Sequence, residues 1–125
     1  MKLIIGGAYQ GKLAYALQET GLGEQEVYVC TEDIEIPNGK PIIYKLEQWI
    51  LALSRADMDV MSQTRLLLLS NPQATMICTE IASGIVPMGV DMRKWREELG
   101  RSLTFLAEEA EAVTRLFCGI PTRIK

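Results

Sequence analysis

The chain has no histidine at any of its 125 positions. That absence removes Ser-His-Asp and Cys-His nucleophile pairs, histidine metal ligands and phosphohistidine intermediates. Long apolar runs are missing as well. No stretch approaches the roughly 18 residues a membrane helix needs, so no membrane partner is expected. The opening MKLIIGG carries one charge and too short an apolar run for a signal-peptide core. Cys30, Cys78 and Cys118 have no CxxC spacing, and an odd count without a signal peptide reads as reduced thiols in a cytoplasmic protein. Positive charge is not in surplus, with 13 Lys+Arg against 16 Asp+Glu and a net charge of −3. Nucleic acid is therefore not an expected partner. Repeats, low-complexity tracts and linker-like stretches are also lacking, which leaves one domain over residues 1–125.

What is present is an ordinary globular composition, 48% hydrophobic and 23% charged, laid out in a recurring order. Short apolar runs at residues 2–5, 26–30, 41–44, 75–78 and 114–118 are rich in β-formers. Their apolar residues are consecutive rather than alternating, as in strands covered on both faces. Helical patterns lie between them at 12–19, 46–54, 60–69 and 92–112. In the last, Trp95, Leu99, Ser102, Leu103, Leu106, Ala110 and Val113 fall on one stripe. Alternation of this kind predicts an α/β fold with a mostly parallel sheet of about five strands and helices on both faces. Ligands in open sheets bind outside the carboxyl ends of the strands, which puts Thr31, Thr79, Glu80 and Gly119 in the region of a site. The cysteines that end three of the runs read as buried strand residues. Met58, Met61 and the leucines at 66–69 could serve a subunit interface, but apolar helix stripes usually face inward and are read as core.

The first run passes directly into Gly6-Gly7-Ala8-Tyr9-Gln10-Gly11-Lys12 and then a helix. This is G-x-x-x-x-G-K, the first seven positions of a phosphate-binding loop. Glycines let successive N–H groups turn inward to cradle phosphate oxygens, the lysine reaches the β and γ phosphates, and the helix start adds its positive end. The setting predicts a P-loop NTPase-like domain that binds ATP or GTP. The eighth position departs from the pattern. It should be a Ser or Thr whose hydroxyl holds Mg²⁺, and it is Leu13. Mg²⁺ binding is thus left open, and no metal ligand is identified.

After the fourth run, Glu80 could hold a metal, position water or accept a proton from a substrate hydroxyl; the alternative is a turn cap or an ion pair. Arg93 and Arg96, about 60° apart around the last helix, could clamp a phosphate, although a solvated basic face alternating with Glu97 and Glu98 is the reading the sequence alone favours.

Taken together, GGAYQGK, TEIASGIVP and the tail GIPTRIK resemble the bifunctional adenosylcobinamide kinase and adenosylcobinamide-phosphate guanylyltransferase family of cobalamin biosynthesis. Gly84-Ile85-Val86-Pro87 matches the family outright, and Arg93, Arg96, Gly100 and Arg101 stand at the family spacing from that proline. The resemblance covers about the first 30 and last 50 residues. It implies a phosphotransferase acting on the cobinamide hydroxyl, with residues 6–13 at the nucleotide phosphates, Lys12 and Glu80 at the reaction, and Thr31, Thr79, Arg93 and Arg96 toward substrate or phosphate. It also implies a homo-oligomer. The departures are Leu13, Leu103 and Thr104 in place of the family's Asn-Gln, and Tyr44 where an acidic metal-associated residue belongs. The stretch that carries the family's guanylylated histidine is missing between Thr31 and Pro41, so guanylyl transfer by that route is excluded. A second expectation stands beside the kinase: a degenerate protein that senses a nucleotide or corrinoid, or partners with a complete enzyme.

Overall fold

The consecutive apolar residues after Met1 have room for side chains on both sides of a strand, and they form the centre of the sheet. The computed structural model describes residues 1–80 and 91–125. In chain order the elements are β1 (Lys2–Gly6), α1 (Lys12–Thr20), a 3-10 turn (Glu24–Glu26), β2 (Val27–Val29), β3 (Ile42–Tyr44) and α2 (Leu46–Arg55). Then come α3 (Val60–Ser70), β4 (Thr75–Thr79), α4 (Met92–Glu109), β5 (Ala112–Phe117) and β6 (Ile120–Arg123). One sheet has the order β2-β3-β4-β1-β5-β6. The first five strands are parallel where they pair, and β6 returns antiparallel to β5.

The α/β expectation holds, with one strand more than the five read from the sequence. β6 is short, carries Pro121 and is exposed throughout. A proline that cannot donate to a ladder is tolerated on an edge and gives no apolar signal there. The last helix also stops at Glu109 rather than at residue 112. Ala110 is already extended (ψ 142), while its N–H still reaches Leu106 O. Val113 continued the helical stripe only because β5 turns the same face to the same core.

Side chains alternate across the sheet and build two unequal cores. Leu3, Ile43, Met76, Cys78 and Val113 face α2, α3 and α4, where Trp49, Leu53, Leu67, Trp95, Leu99 and Leu106 are buried. Ile4, Ile42, Ile77 and Leu116 face the other way, where Ala16 of α1 packs with Leu13 and Leu17 at its margin. The polar member of the α4 stripe, Ser102, is fully buried and hydrogen-bonded to the Thr64 hydroxyl of α3 at 3.1 Å. Asp59 and Asp91 cap α3 and α4, accepting the N–H groups of Ser62 and Lys94. Of the four leucines, Leu67 is buried whereas Leu66 and Leu69 are exposed, so the inward reading holds for only part of that run. Among the described residues no helix is long and apolar enough to cross a membrane.

Candidate functional site

β1 lies between β4 and β5. From the carboxyl end of β1 the chain crosses to the α1 face, while α4, the next described helix after β4, packs on the other face. A reversal of this kind at the carboxyl ends of neighbouring strands is where open α/β sheets hold ligands. Residues 6–12 leave β1 there, with Thr79 and Glu80 beside them at the end of β4.

The loop is shaped by its own backbone. Tyr9 (φ 60) and Gly11 (φ 84) are left-handed, and such residues interleaved with ordinary ones turn successive N–H groups toward one concavity. Among the described residues, the backbone N–H groups of residues 8 to 14 take no backbone partner. Tyr9 is almost wholly exposed, so packing is not what holds its backbone in the left-handed region. The loop is anchored elsewhere. Gly119 donates its N–H to Gln10 O at 3.1 Å, and the Cys118 N–H is donated to the Gln10 side-chain oxygen. These donors come from the two-residue turn joining β5 and β6, both members of which have positive φ. On the other side, Glu80 donates its N–H to Gly6 O at 2.9 Å. Gly6 must lack a side chain, because a Cβ there would stand 2.7 Å from Leu116 O.

Lys12, the first residue of α1, folds back beneath the loop and donates to Gly7 O at 2.6 Å. It is 6% exposed. Burial lowers its pKa from the ordinary lysine value, against the opposing pull of Glu47, Cys78 and Glu80. Leu13 packs against the core under α1, which explains an apolar residue there but leaves the loop without a hydroxyl.

The remaining expected residues divide. Thr79 and Glu80 stand beside the loop. Glu80 carries an ion pair to Arg115 at 3.1 Å, so the ion-pair alternative for this residue is met. Thr31 does end a strand on the same edge, but β2 is three strands from β1, about 14 Å away. It does not stand beside the loop. Arg93 pairs with Glu97 on its own helix at 3.2 Å, and Arg96 lines a groove between α3 and α4 with Arg65 and Phe105. Neither makes a hydrogen bond to the loop among the described residues. Gly84-Ile85-Val86-Pro87 lies outside the described residues. Cys30 and Cys78 are buried as expected, but Cys118 is exposed because it sits in the β5–β6 turn and not within a strand.

Gln10, expected at the nucleotide phosphates, is also the residue that joins loop to hairpin. Two residues at the site were not singled out from the sequence. Arg115 sits among apolar residues of β5, and its partner Glu80 follows β4, across β1 in the sheet. Glu47 stands in the first turn of α2 and is 9% exposed, with its Oε1 accepting the Thr79 N–H at 2.9 Å. An acid three residues past the end of β3 was a readable signal.

A groove lined by Lys2, Tyr15, Glu19, Thr75, Thr114 and Arg123 runs beside α1 near the amino ends of β1 and β4, at the opposite edge from the loop. No protein-family model matches the chain, and no curated protein does either.

Proposed function

We propose that the chain binds the phosphates of a nucleoside triphosphate, ATP or GTP, on residues 6–12 and acts as an adenosylcobinamide kinase-like phosphotransferase. The observation that carries the reading is the run of backbone donors at residues 8–14, which take no backbone partner among the described residues, at the carboxyl end of β1 beside Lys12. Anions bind at such places because the N–H groups and the helix start both favour negative charge. On phosphate binding the Lys12 ammonium exchanges the Gly7 carbonyl for phosphate oxygens and stabilises transferring charge. Glu80 then positions the acceptor hydroxyl or takes its proton, with Arg115 holding the carboxylate in place. The corrinoid acceptor rests on the sequence resemblance. A second reading, a nucleotide- or corrinoid-binding regulatory partner without turnover, is favoured by Leu13, which removes the metal-holding hydroxyl.

The test is the thermal shift of wild type and Lys12→Met with ATP or GTP, followed by phosphorylation of cobinamide. At about 100 Kd, ligand binding stabilises by roughly 2.7 kcal/mol. A shift in wild type that Lys12→Met abolishes supports the loop; no shift with either nucleotide refutes it. Nucleotide binding without cobinamide turnover selects the second reading.

A further inference from the structure

Glu47 reaches sideways from α2 across the carboxyl end of β4, where the Thr79 N–H fixes one of its two oxygens. The next residue, Glu80, donates to Gly6, the first residue of the loop. The carboxylate therefore stands beside the phosphate loop, and its charge is felt by Lys12, Cys30 and Cys78. It forms no ion pair with Lys12, whose ammonium is turned to Gly7 O. Among the described residues the second oxygen, Oε2, takes no hydrogen bond. That oxygen is not cut off from solvent, so it is open to a ligand while Thr79 holds its twin.

We infer that Glu47 Oε2 holds the divalent cation of a metal–nucleotide complex, in place of the hydroxyl missing at Leu13 and the acid missing at Tyr44. The inference rests on the nucleotide reading of residues 6–12. Mg²⁺ dehydrates reluctantly and is commonly bound by one or two carboxylates together with substrate phosphates, the rest of its shell being water. One oriented carboxylate is what Glu47 offers. No trio of His, Cys, Asp or Glu among the described residues could hold a metal unaided. The cation accordingly arrives with the triphosphate and is not resident in the free protein. The Thr79 N–H has a positioning role, turning Oε1 toward β4 and leaving Oε2 for the ligand.

Calorimetric titration of ATP and of GTP into wild type and Glu47→Gln, each with EDTA and with Mg²⁺, tests this. Glutamine keeps the volume and the oxygen that accepts from Thr79, so affinity in EDTA should be retained. Mg²⁺ should tighten binding to wild type roughly tenfold or more, and Glu47→Gln should lose that tightening. Full tightening in Glu47→Gln overturns the inference, as does binding to wild type that ignores Mg²⁺; both leave the loop reading intact. Absence of binding to wild type in either condition overturns both. Should Glu47→Gln not fold, amide spectra of wild type with Mn²⁺ and nucleotide decide. Strongest broadening at Glu47 and Thr79 supports the assignment, and broadening centred on Lys12 and Leu13 overturns it.

Discussion

The two faces of the sheet are built unequally. Among the described residues, three helices cover one face and bury Trp49, Trp95 and a set of leucines, whereas α1 is the helix on the other, over a core whose central residues are Ile4, Ala16, Ile42, Ile77 and Leu116. The candidate site sits where the chain passes from the sheet to that thinner side. There the polypeptide holds a left-handed Tyr9, a buried lysine and a run of backbone donors that take no backbone partner among the described residues. Each of these is a local cost, and sites of this kind persist because packing elsewhere over-determines the fold. The thick face should therefore govern stability and the loop should govern ligand binding, with little exchange between them.

The largest effect expected is on the thick face. Trp49 is 1% exposed, and its indole N–H donates to Ile34 O at 3.4 Å. Trp49→Ala should cost about 3–5 kcal/mol in urea unfolding, from lost burial and the cavity left behind. A cost below about 1 kcal/mol would show that α2 is not the anchor of this core.

Lys12→Met should behave in the opposite way. Its ammonium is desolvated and has no ion-pair partner among the described residues, so a methionine of similar length removes a buried charge and should leave unfolding stability unchanged or raised. What it should remove is the roughly 2.7 kcal/mol of stabilisation that about 100 Kd of nucleotide confers. A Lys12→Met protein that is both less stable and still stabilised by nucleotide would invert the contrast between face and loop.

The thick face was the more legible of the two in sequence. Apolar runs and the α4 stripe carry their own periodicity, and Trp95, Leu99, Ser102 and Leu106 all bury as read. The loop was legible as a pattern because glycines and a lysine at fixed spacing have a mechanical meaning. Its surroundings were not. Glu47, Arg115 and the Cys118-Gly119 turn reach the loop through pairings of strands and through side chains that cross between elements, and neither leaves a periodic trace. Thr31 was placed near the site because strand order was unknown; three strands of separation follow from the topology alone.

The buried thiols make a smaller, pH-dependent test of the thick side. Burial, reinforced by the charge of Glu47, pushes the Cys30 pKa from 9.0 up to about 12, and Cys78 is raised in the same direction. Unfolded thiols ionise near pH 9 while the folded ones stay protonated, so above pH 9 the unfolded chain holds fewer protons. Their contribution is full below pH 9 and is lost as pH climbs toward 12, at up to about 1.4 kcal/mol per pH unit for each thiol. Lys12 opposes this below pH 10.5, since its lowered folded pKa leaves the unfolded chain holding more protons there. Two thiols outweigh one lysine, so stability should fall between pH 9 and 10.5 and Cys30→Ala should flatten the fall. A flat wild-type profile would mean that these thiols are open to water.

The smallest effect is expected at the hairpin that clasps the loop. Gly119 has φ 74, and a Cβ there would meet nothing within 4 Å. The cost of Gly119→Ala is therefore conformational, about 1–2 kcal/mol for an L-residue held left-handed. Its consequence for the site depends on how that strain relaxes. If the turn keeps its shape, the Gly119 N–H still reaches Gln10 O, and nucleotide affinity should be unchanged while stability falls. If the turn reopens to escape the strain, both bonds to Gln10 go with it, the loop loses its anchor on the β5 side, and affinity should fall together with stability. Measuring urea unfolding and nucleotide Kd on the same Gly119→Ala protein separates the two. Since the clasp ties Gln10, in the middle of the run of donors, to the β5–β6 turn, Kd should weaken by more than the global stability loss alone would produce. An unchanged Kd would place the rigidity of the cradle in Tyr9 and Gly11 themselves.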